Sequence, residues 1–279
     1  MTMRQVASAA LVICGSVAIA GAGKEAPRHA MPAAVRTVVV LTDPALTTPA
    51  RHGVDALEGA LRAKHVIVSE DATQIARADV VVLAGLTAGT GPAARALRAM
   101  NAQAPSSAES LTIRSGVRYD ARPAVVLAGG DGVGLMYAAL DTADRIGWAT
   151  DADPFVLVRD MTEQPFLEKR GVVIFTMNRA YFESRLFDTQ YLARFLDMFA
   201  RDRINQLVVT FGYEHGGYMA PPYPYFFDVD GFQDVKVVGL TAEQQARNRA
   251  AFRTMLQMAA ARGVKVKVGI WDHIYRAGV

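Results

Sequence analysis

The sequence predicts an α/β protein in two parts, a small α/β sandwich followed by an incomplete (β/α)8 barrel of which the chain holds the first three strands. From about residue 165, apolar strand-like runs alternate with amphipathic helical patterns. This order is typical of parallel strands joined by crossover helices. The range 165–279 is also less than half of the roughly 250 residues that such a barrel needs to close.

The first 22 residues are predicted to be a signal peptide. Arg4 precedes a long uncharged run, and Ala18-Ile19-Ala20 or Ala20-Gly21-Ala22 supplies small residues at the spacing that signal peptidase recognises. The pattern predicts a periplasmic or secreted protein without stable membrane association once the segment is removed. An uncleaved membrane anchor is the alternative. Cys14, the one cysteine, lies in this segment, so the mature protein is expected to contain no disulfide.

Composition excludes one class of partner. The net charge of +3 is spread along the chain, and no Lys/Arg-rich run with interleaved aromatic residues occurs. We therefore predict no nucleic-acid partner. The length suits two domains, which we place at residues 33–163 and 165–279. Nothing in the sequence predicts an oligomeric state.

The first domain is predicted from strand-like runs rich in β-branched residues that are separated by turn signals and helical patterns. The first run, 35–41, ends at Thr42-Asp43-Pro44, which is a turn signal. The run 110–116 alternates in polarity like an antiparallel strand. The strands are predicted at residues 35–41, 65–69, 79–86, 110–116 and 124–129, and the helices at 53–64, 91–101 and 134–146.

A glycine-rich segment, GGDGVG at residues 129–134, follows the last of these strands and opens a helix. Such a loop can present backbone N–H groups to a phosphate. The spacing departs from the dinucleotide fingerprint, however, because Leu135 stands where the third glycine is required. The other interpretation is that the glycines form a tight strand-to-helix turn, which Asp131 or Asp141 solvates.

The second domain is predicted from three strands and two helices in alternation. The apolar residues of its first helix recur at helical spacing, so we expect Phe195, Met198 and Phe199 in the core. The strands are predicted at residues 170–175, 204–211 and 264–271, and the helices at 189–202 and 241–263.

Several segments resemble one enzyme family. The segment PAVVLAGGDGVGLMYAALDTADRIG looks like the N-terminal accessory domain of family 20 glycoside hydrolases, which are bacterial β-hexosaminidases, and of the related α-glucuronidases. Arg170-Gly171 resembles the pair that opens the first barrel strand of family 20. FDTQYLARFLDMFARDRINQLVVTF is similar to its first helix and second strand, and the segment 241–273 is similar to its second helix and third strand.

The resemblance implies a glycoside hydrolase that cleaves O-glycosidic bonds of a carbohydrate and needs no cofactor, and the predicted signal peptide implies that this enzyme is exported. Its first domain would be non-catalytic. In family 20 the catalytic Asp-Glu pair follows the fourth strand, whereas this chain ends after the third. The resemblance therefore implies catalytic acids beyond Val279, and it implies that the 279-residue chain is inactive alone.

Substrate-binding residues are expected where the barrel strands end, because active sites of such barrels form at the carboxyl ends of the strands. Carbohydrate sites use aromatic faces together with charged or amide groups that bind hydroxyls. The candidates for substrate binding are Arg179, Glu214, His215, Trp271, Asp272 and His273. Arg179 could instead form an ion pair at the barrel rim. The other candidates could instead have cap or interface roles.

The aromatic loop after the second barrel strand has two interpretations. Its rings could line a sugar subsite, or they could pack the long loop onto the barrel. They belong to Tyr218, Tyr223, Tyr225, Phe226 and Phe227.

Two further alternatives concern function. A metal site would require Glu214, His215, Asp272 and His273 to converge, but their spacing matches no known ligand motif, so we predict no metal. The alternative to an enzyme is a non-catalytic module that binds carbohydrate or a partner protein. A broken reading frame is the third possibility.

Overall fold

The computed structural model describes residues 31–32, 34–174, 179–211 and 223–270. These residues form two sheets, one of six strands and one of three, with helices packed against both. The predicted mixed α/β fold is confirmed. The incomplete barrel and the domain limits 33–163 and 165–279 stay predictions.

The six-stranded sheet has the order β2-β1-β3-β5-β4-β6. Strands β2, β1, β3 and β5 are parallel, and β4 and β6 are antiparallel to their neighbours. The predicted antiparallel strand at 110–116 is thus confirmed. The elements are β1 Thr37–Thr42, α1 Thr48–Ala63, β2 Ile67–Ser69, β3 Val80–Leu86, α2 Pro92–Ala99, β4 Leu111–Tyr119, β5 Arg122–Gly129, α3 Gly132–Trp148 and β6 Met161–Glu163.

Both faces of this sheet are covered, which explains the long apolar runs of its central strands. Helices α1 and α3 pack on one face, where Leu57 and Leu135 are fully buried. Helix α2 packs on the other face through Leu97. Strands buried on both sides read as continuous Val, Ile and Leu runs because alternate residues enter different cores.

The glycine-rich segment forms a tight strand-to-helix turn, as the second interpretation predicted. Asp131 caps α3, since its Oδ1 accepts a hydrogen bond of 2.8 Å from the Gly134 amide. A Cβ on Gly134 would lie 2.0 Å from the Ser110 carbonyl oxygen, and one on Gly130 would lie 2.1 Å from that of Ser107. The glycines are therefore explained by close approach of neighbouring backbone.

The second sheet has the order β7-β8-β9, and all its strands are parallel and in register. The helix α4 follows β7 and was not predicted. The elements are β7 Gly171–Ile174, α4 Arg179–Leu186, α5 Thr189–Arg201, β8 Gln206–Phe211, a short 3-10 turn Tyr223–Tyr225, α6 Ala242–Ala260 and β9 Lys265–Ile270.

One face of the second sheet packs against the helices. Leu207 and Val209 of β8 are 1% exposed and pack with residues of α5 and α6. Their neighbours in the strand point to the opposite face, where Val173 of β7 is 59% exposed and pairs with Val208. Within the described residues, this opposite face has no covering layer of helices.

The first helix of this region buries a narrower face than we predicted. Phe199 of α5 is 1% exposed and Phe195 is partly buried, as expected. Met198 is 45% exposed, so its predicted place in the core is wrong. The buried face runs through Leu192, Leu196 and Phe199, and Met198 lies one residue outside it because successive helical residues are about 100° apart.

The two sheets meet through side chains of α1, α3 and α5, where Arg201 of α5 pairs with Asp144 of α3. Arg262 Nε donates to Asp197 Oδ1 at 2.6 Å, and His52 Nε2 of α1 lies 3.3 Å from the same oxygen. Burial and the charge of Arg262 lower the pKa of His52. Near neutral pH the positive partner of Asp197 is therefore Arg262, and His52 contributes as a neutral ring.

Among the described helices, none combines the length and the apolar character that a membrane span requires.

Candidate functional site

The candidate site is the carboxyl edge of the three-stranded sheet. The strands end at Ile174, Phe211 and Ile270, and because they are parallel all three ends lie at one edge. The connections that leave this edge carry every substrate-binding residue that the sequence predicts. The structure therefore brings the starting points of these connections together.

Most of the predicted site residues themselves lie outside the described residues. This applies to Glu214, His215, Trp271, Asp272 and His273. Arg179 is the first residue of α4, but its side chain is not among those described. Their roles stay predictions.

Two described segments belong to the connections that leave this edge, namely α4 and the residues 223–228. The Tyr225 hydroxyl donates a hydrogen bond of 2.7 Å to Glu183 Oε1 of α4. Asn248 of α6, which is 3% exposed, donates from Nδ2 to the Tyr225 carbonyl oxygen at 3.1 Å. Tyr225 therefore joins the connection after β7 to the one after β8, and Asn248 ties the second of these connections to α6.

A second amide fixes the same turn. Gln245 Nε2 of α6 donates to the Pro224 carbonyl oxygen at 3.1 Å and to Asp228 Oδ1 at 3.2 Å. Polar residues one turn apart on α6 thus hold consecutive parts of the loop. These side-chain bonds fix the turn at residues 223–228 against α6.

The aromatic residues of this loop divide between the two interpretations. Tyr225 and Phe226 are 3% and 0% exposed, and the ring of Phe226 lies 5.3 Å from that of Phe252 in α6. These two rings pack the loop onto the helices. Tyr223 is 49% exposed, with its ring 5.3 Å from that of Phe227, and it can present a face to a ligand. Tyr218 lies outside the described residues.

An apolar cavity of about 50 Å³ lies between α4, α5, β8 and α6. Its lining includes Phe182, Leu196 and Met255, and the Arg185 guanidinium at its side lies 4.4 Å from the centre of the Tyr191 ring. A sugar needs several hydrogen-bonding groups, whereas this lining is almost entirely hydrocarbon. The cavity is therefore a packing gap beneath α4.

Metal binding finds no support within the described ranges. Among residues 34–174, 179–211 and 223–270, no group of three or more His, Cys, Asp or Glu side chains could hold a metal ion. Of the four residues weighed for a metal site, all lie outside those ranges.

Sequence reasoning missed Glu183 and Asn248 as supports of this edge. The signal for Asn248 is an amide among the buried positions of α6, which include Phe252 and Met255. A buried amide must find a hydrogen-bond partner, so a polar residue on an apolar helix face indicates a fixed contact. Glu183 gave no comparable signal, because α4 itself was not predicted.

Comparison with known proteins supports the fold at a coarse level. No family model matches the sequence, and no curated protein matches it. Among solved structures, the chain is similar to a GH138 enzyme targeting pectin rhamnogalacturonan II, with a TM-score of 0.63 and 16% identity over 85% of this chain and 32% of that one. The chain therefore spans about a third of that enzyme, and it shares the fold of that part.

Two other glycoside hydrolases are similar at lower scores. CpGH84D has a TM-score of 0.48 and 8% identity, over 85% of this chain and 41% of that one. The GH20 exo β-N-acetylglucosaminidase from Vibrio harveyi has a TM-score of 0.39 and 10% identity, over 88% of this chain and 34% of that one. Of these likenesses only the first is close enough to show a common fold, so a specific relation to family 20 is not established.

Proposed function

We propose that this chain is part of an exported glycoside hydrolase that cleaves O-glycosidic bonds of a carbohydrate. In this proposal residues 33–163 form a non-catalytic domain, and residues 165–279 supply the first three strands of a (β/α)8 barrel. The substrate binds at the carboxyl edge of β7, β8 and β9. The catalytic acids come from strands that follow β9.

One observation carries the proposal: within the described residues, apolar side chains of the three-stranded sheet are left exposed. Parallel sheets are ordinarily covered on both faces. Here Val173 is 59% exposed on the face away from the helices, and Val268 of the edge strand β9 is 49% exposed. Further strand and helix pairs of a barrel would cover both residues, and the fold shared with part of a GH138 enzyme agrees with this.

Export is a part of the same proposal. The uncharged run after Arg4 is proposed to direct the protein to the periplasm or the medium, and cleavage near residue 22 would leave no stable membrane association. The relation to family 20 and the α-glucuronidases is also retained as a proposal, on the segments described above.

The proposed roles at the carboxyl edge follow from side-chain chemistry. Arg179 begins α4 directly after the connection from β7, and an arginine there can donate to two adjacent hydroxyls. Glu214, His215, Asp272 and His273 are proposed as hydroxyl ligands, and Trp271 as an aromatic face. Tyr223 adds a half-exposed aromatic ring on the connection after β8.

A non-catalytic carbohydrate-binding module is the second candidate. The observation that favours it is Tyr223, because an exposed aromatic ring on a loop fastened to α6 is sufficient for sugar stacking without any catalytic group. Such a module binds glycans and cleaves none.

Glycosidase assays distinguish the two. The 279-residue chain and the whole polypeptide encoded by its gene would be incubated with aryl glycosides and with rhamnogalacturonan II oligosaccharides. We expect turnover by the whole polypeptide and none by the 279-residue chain, since the acids are proposed to lie on later strands. In the whole polypeptide, Arg179→Ala should raise KM about tenfold or more, since hydrogen bonds from a charged group are lost.

The outcomes are separable. A robust rate from the 279-residue chain alone would refute the placement of the acids. Glycan binding without turnover by the whole polypeptide would favour the module. An Arg179→Ala variant with unchanged KM would remove Arg179 from the site while leaving the enzyme assignment intact.

A further inference from the structure

A partly buried polar cluster joins the first sheet to the amino-terminal ends of β7 and β8, opposite the candidate site. Its centre is Glu109, in the loop before β4, whose side chain is 14% exposed. The two other main members are Arg170, just before β7, and Asn205, just before β8. Glu109 is separated from Arg170 by 61 residues and from Asn205 by 96.

Both oxygens of the Glu109 carboxylate are used. Oε1 accepts a hydrogen bond of 2.8 Å from Asn205 Nδ2. Oε2 pairs with Arg170 Nη2 and accepts a bond of 3.3 Å from the Tyr137 hydroxyl of α3. Charge-assisted bonds of this kind are stronger and more directional than neutral ones, so the carboxylate fixes both partners in place.

The Arg170 guanidinium is held from three sides. Nε donates to the Arg203 carbonyl oxygen at 2.6 Å, and Nη1 donates to that of Leu167 at 2.6 Å. Burial lowers the pKa of Arg170, but the hydrogen bond and charge of Glu109 outweigh burial, so that this pKa is raised. The guanidinium therefore fastens the chain entering β7 to the turn that enters β8.

Asn205 connects the starts of all three strands. The side-chain Oδ1 of Asn205 accepts a hydrogen bond of 2.9 Å from the backbone amide of Arg170. The backbone amide of Asn205 donates to the Arg170 carbonyl oxygen at 3.0 Å. The Asn205 carbonyl oxygen accepts from the Lys265 amide at 2.9 Å, at the first residue of β9. Nδ2 is then left for Glu109 and for the Glu168 carbonyl oxygen, which it reaches at 2.8 Å.

The backbone of Glu109 adds an independent observation. Its φ is +60°, a left-handed conformation that costs a residue with a Cβ about 1 kcal/mol or more and persists where the surroundings enforce it. The residue with this unfavourable backbone conformation is thus the same one whose carboxylate bonds Asn205 and Arg170.

We infer that Glu109 sets the register of the second sheet, so that the first part of the chain acts as a template for β7, β8 and β9. A one-residue slip in a strand moves every side chain to the opposite face, so the strand starts need a fixed reference. Asn205 bonds the residue before β7 and the first residue of β9, so it takes part in setting both the β7–β8 and the β8–β9 register. Glu109, which lies outside this sheet, accepts a hydrogen bond from the Asn205 side chain. The inference does not depend on glycoside hydrolysis.

Native-state hydrogen exchange on the full chain tests this template. The probes are the amides of Asn205, Gln206 and Lys265, and the reference is the amides of β3 in the first sheet. In Glu109→Ala we expect protection of the probes to fall about tenfold or more, with β3 nearly unchanged, because the loss of a charged hydrogen-bond partner acts locally. In Glu109→Gln we expect a smaller fall, since the amide oxygen can still accept from Asn205.

Glu163→Gln is the matched control. Glu163 of β6 pairs with Arg203 in the same interface but is 43% exposed, so its loss should leave the probes within about twofold. The inference is overturned if the probes lose no more protection in Glu109→Ala than in this control, or if β3 loses protection equally. Should Glu109→Ala fail to fold, Glu109→Gln decides by the same comparison.

Discussion

Replacing Phe199 with alanine is expected to lower the free energy of unfolding by about 3–5 kcal/mol, which is the usual cost of removing a buried aromatic side chain. Phe199 is 1% exposed and lies among the buried residues of the second core. Its ring centre is 4.6 Å from that of Phe195. The change would leave a cavity between α5 and the sheet, where the surrounding residues cannot fully collapse.

Urea unfolding measures this cost, and Met198→Ala is the matched control in the same helix. Met198 is 45% exposed, so its truncation should cost about 1 kcal/mol or less. Equal losses in the two variants would contradict the orientation of α5. A larger loss of unfolding free energy in Met198→Ala than in Phe199→Ala would show that Met198 lies in the core, as the sequence alone predicts.

Replacing Gly53 with alanine is expected to lower the free energy of unfolding by about 1–3 kcal/mol, because the added methyl group overpacks a close crossing of two helices. A Cβ on Gly53 of α1 would lie 2.7 Å from Cα and 2.9 Å from the carbonyl oxygen of Met136 in α3. These are backbone atoms, so α1 and α3 would have to move apart. Their separation would disturb the core that the two helices form with one face of the first sheet.

Gly59 provides the control within the same helix. A Cβ there would meet no atom within 4 Å apart from the adjoining backbone of its own helix, so Gly59→Ala should raise the free energy of unfolding by about 0.5–1 kcal/mol through its better helix propensity. Thermal and urea unfolding of both variants would be compared with the parent chain. Stabilisation by both alanines would contradict the close crossing of α1 and α3.

Strands with two buried faces were the most predictable part of the fold. The runs around β1, β3 and β5 are almost entirely Val, Leu and Ala, because each alternate residue enters a different core. Helix α3 was predicted nearly to its ends, since Leu135 and Ile146 mark its buried face and Asp131 caps it. In these elements local pattern and tertiary burial agree.

Short or weakly amphipathic elements could not be predicted in the same way. Strand β6, Met161–Glu163, has three residues and exists only because it pairs with β4. Helix α4 offers just Phe182 and Leu186 as an apolar pair, which is too brief a repeat to identify a helix. Helix α1 begins at Thr48, five residues before its predicted start, because Thr47 caps it ahead of Pro49.

The sequence predicts where a candidate site would lie and which residue types it would contain, and the roles of these residues stay predictions. Parallel strands dictate which edge of a barrel carries the site, and the connections that leave this edge contain Arg179, Glu214 and Trp271. The supporting contacts were not predictable, because Tyr225, Glu183 and Asn248 come from three separate elements. The same is true of Glu109, whose partners are distant in sequence.

The structure of the whole encoded polypeptide, determined by crystallography, tests the central claim most directly. The claim is that β7, β8 and β9 open a sugar-cleaving barrel. It predicts a further parallel strand hydrogen-bonded to the outer edge of β9, with a pair of carboxylates following its carboxyl end and facing the residues after β7 and β8. A β9 that remains the outermost strand, or one that pairs with an antiparallel strand, would contradict it.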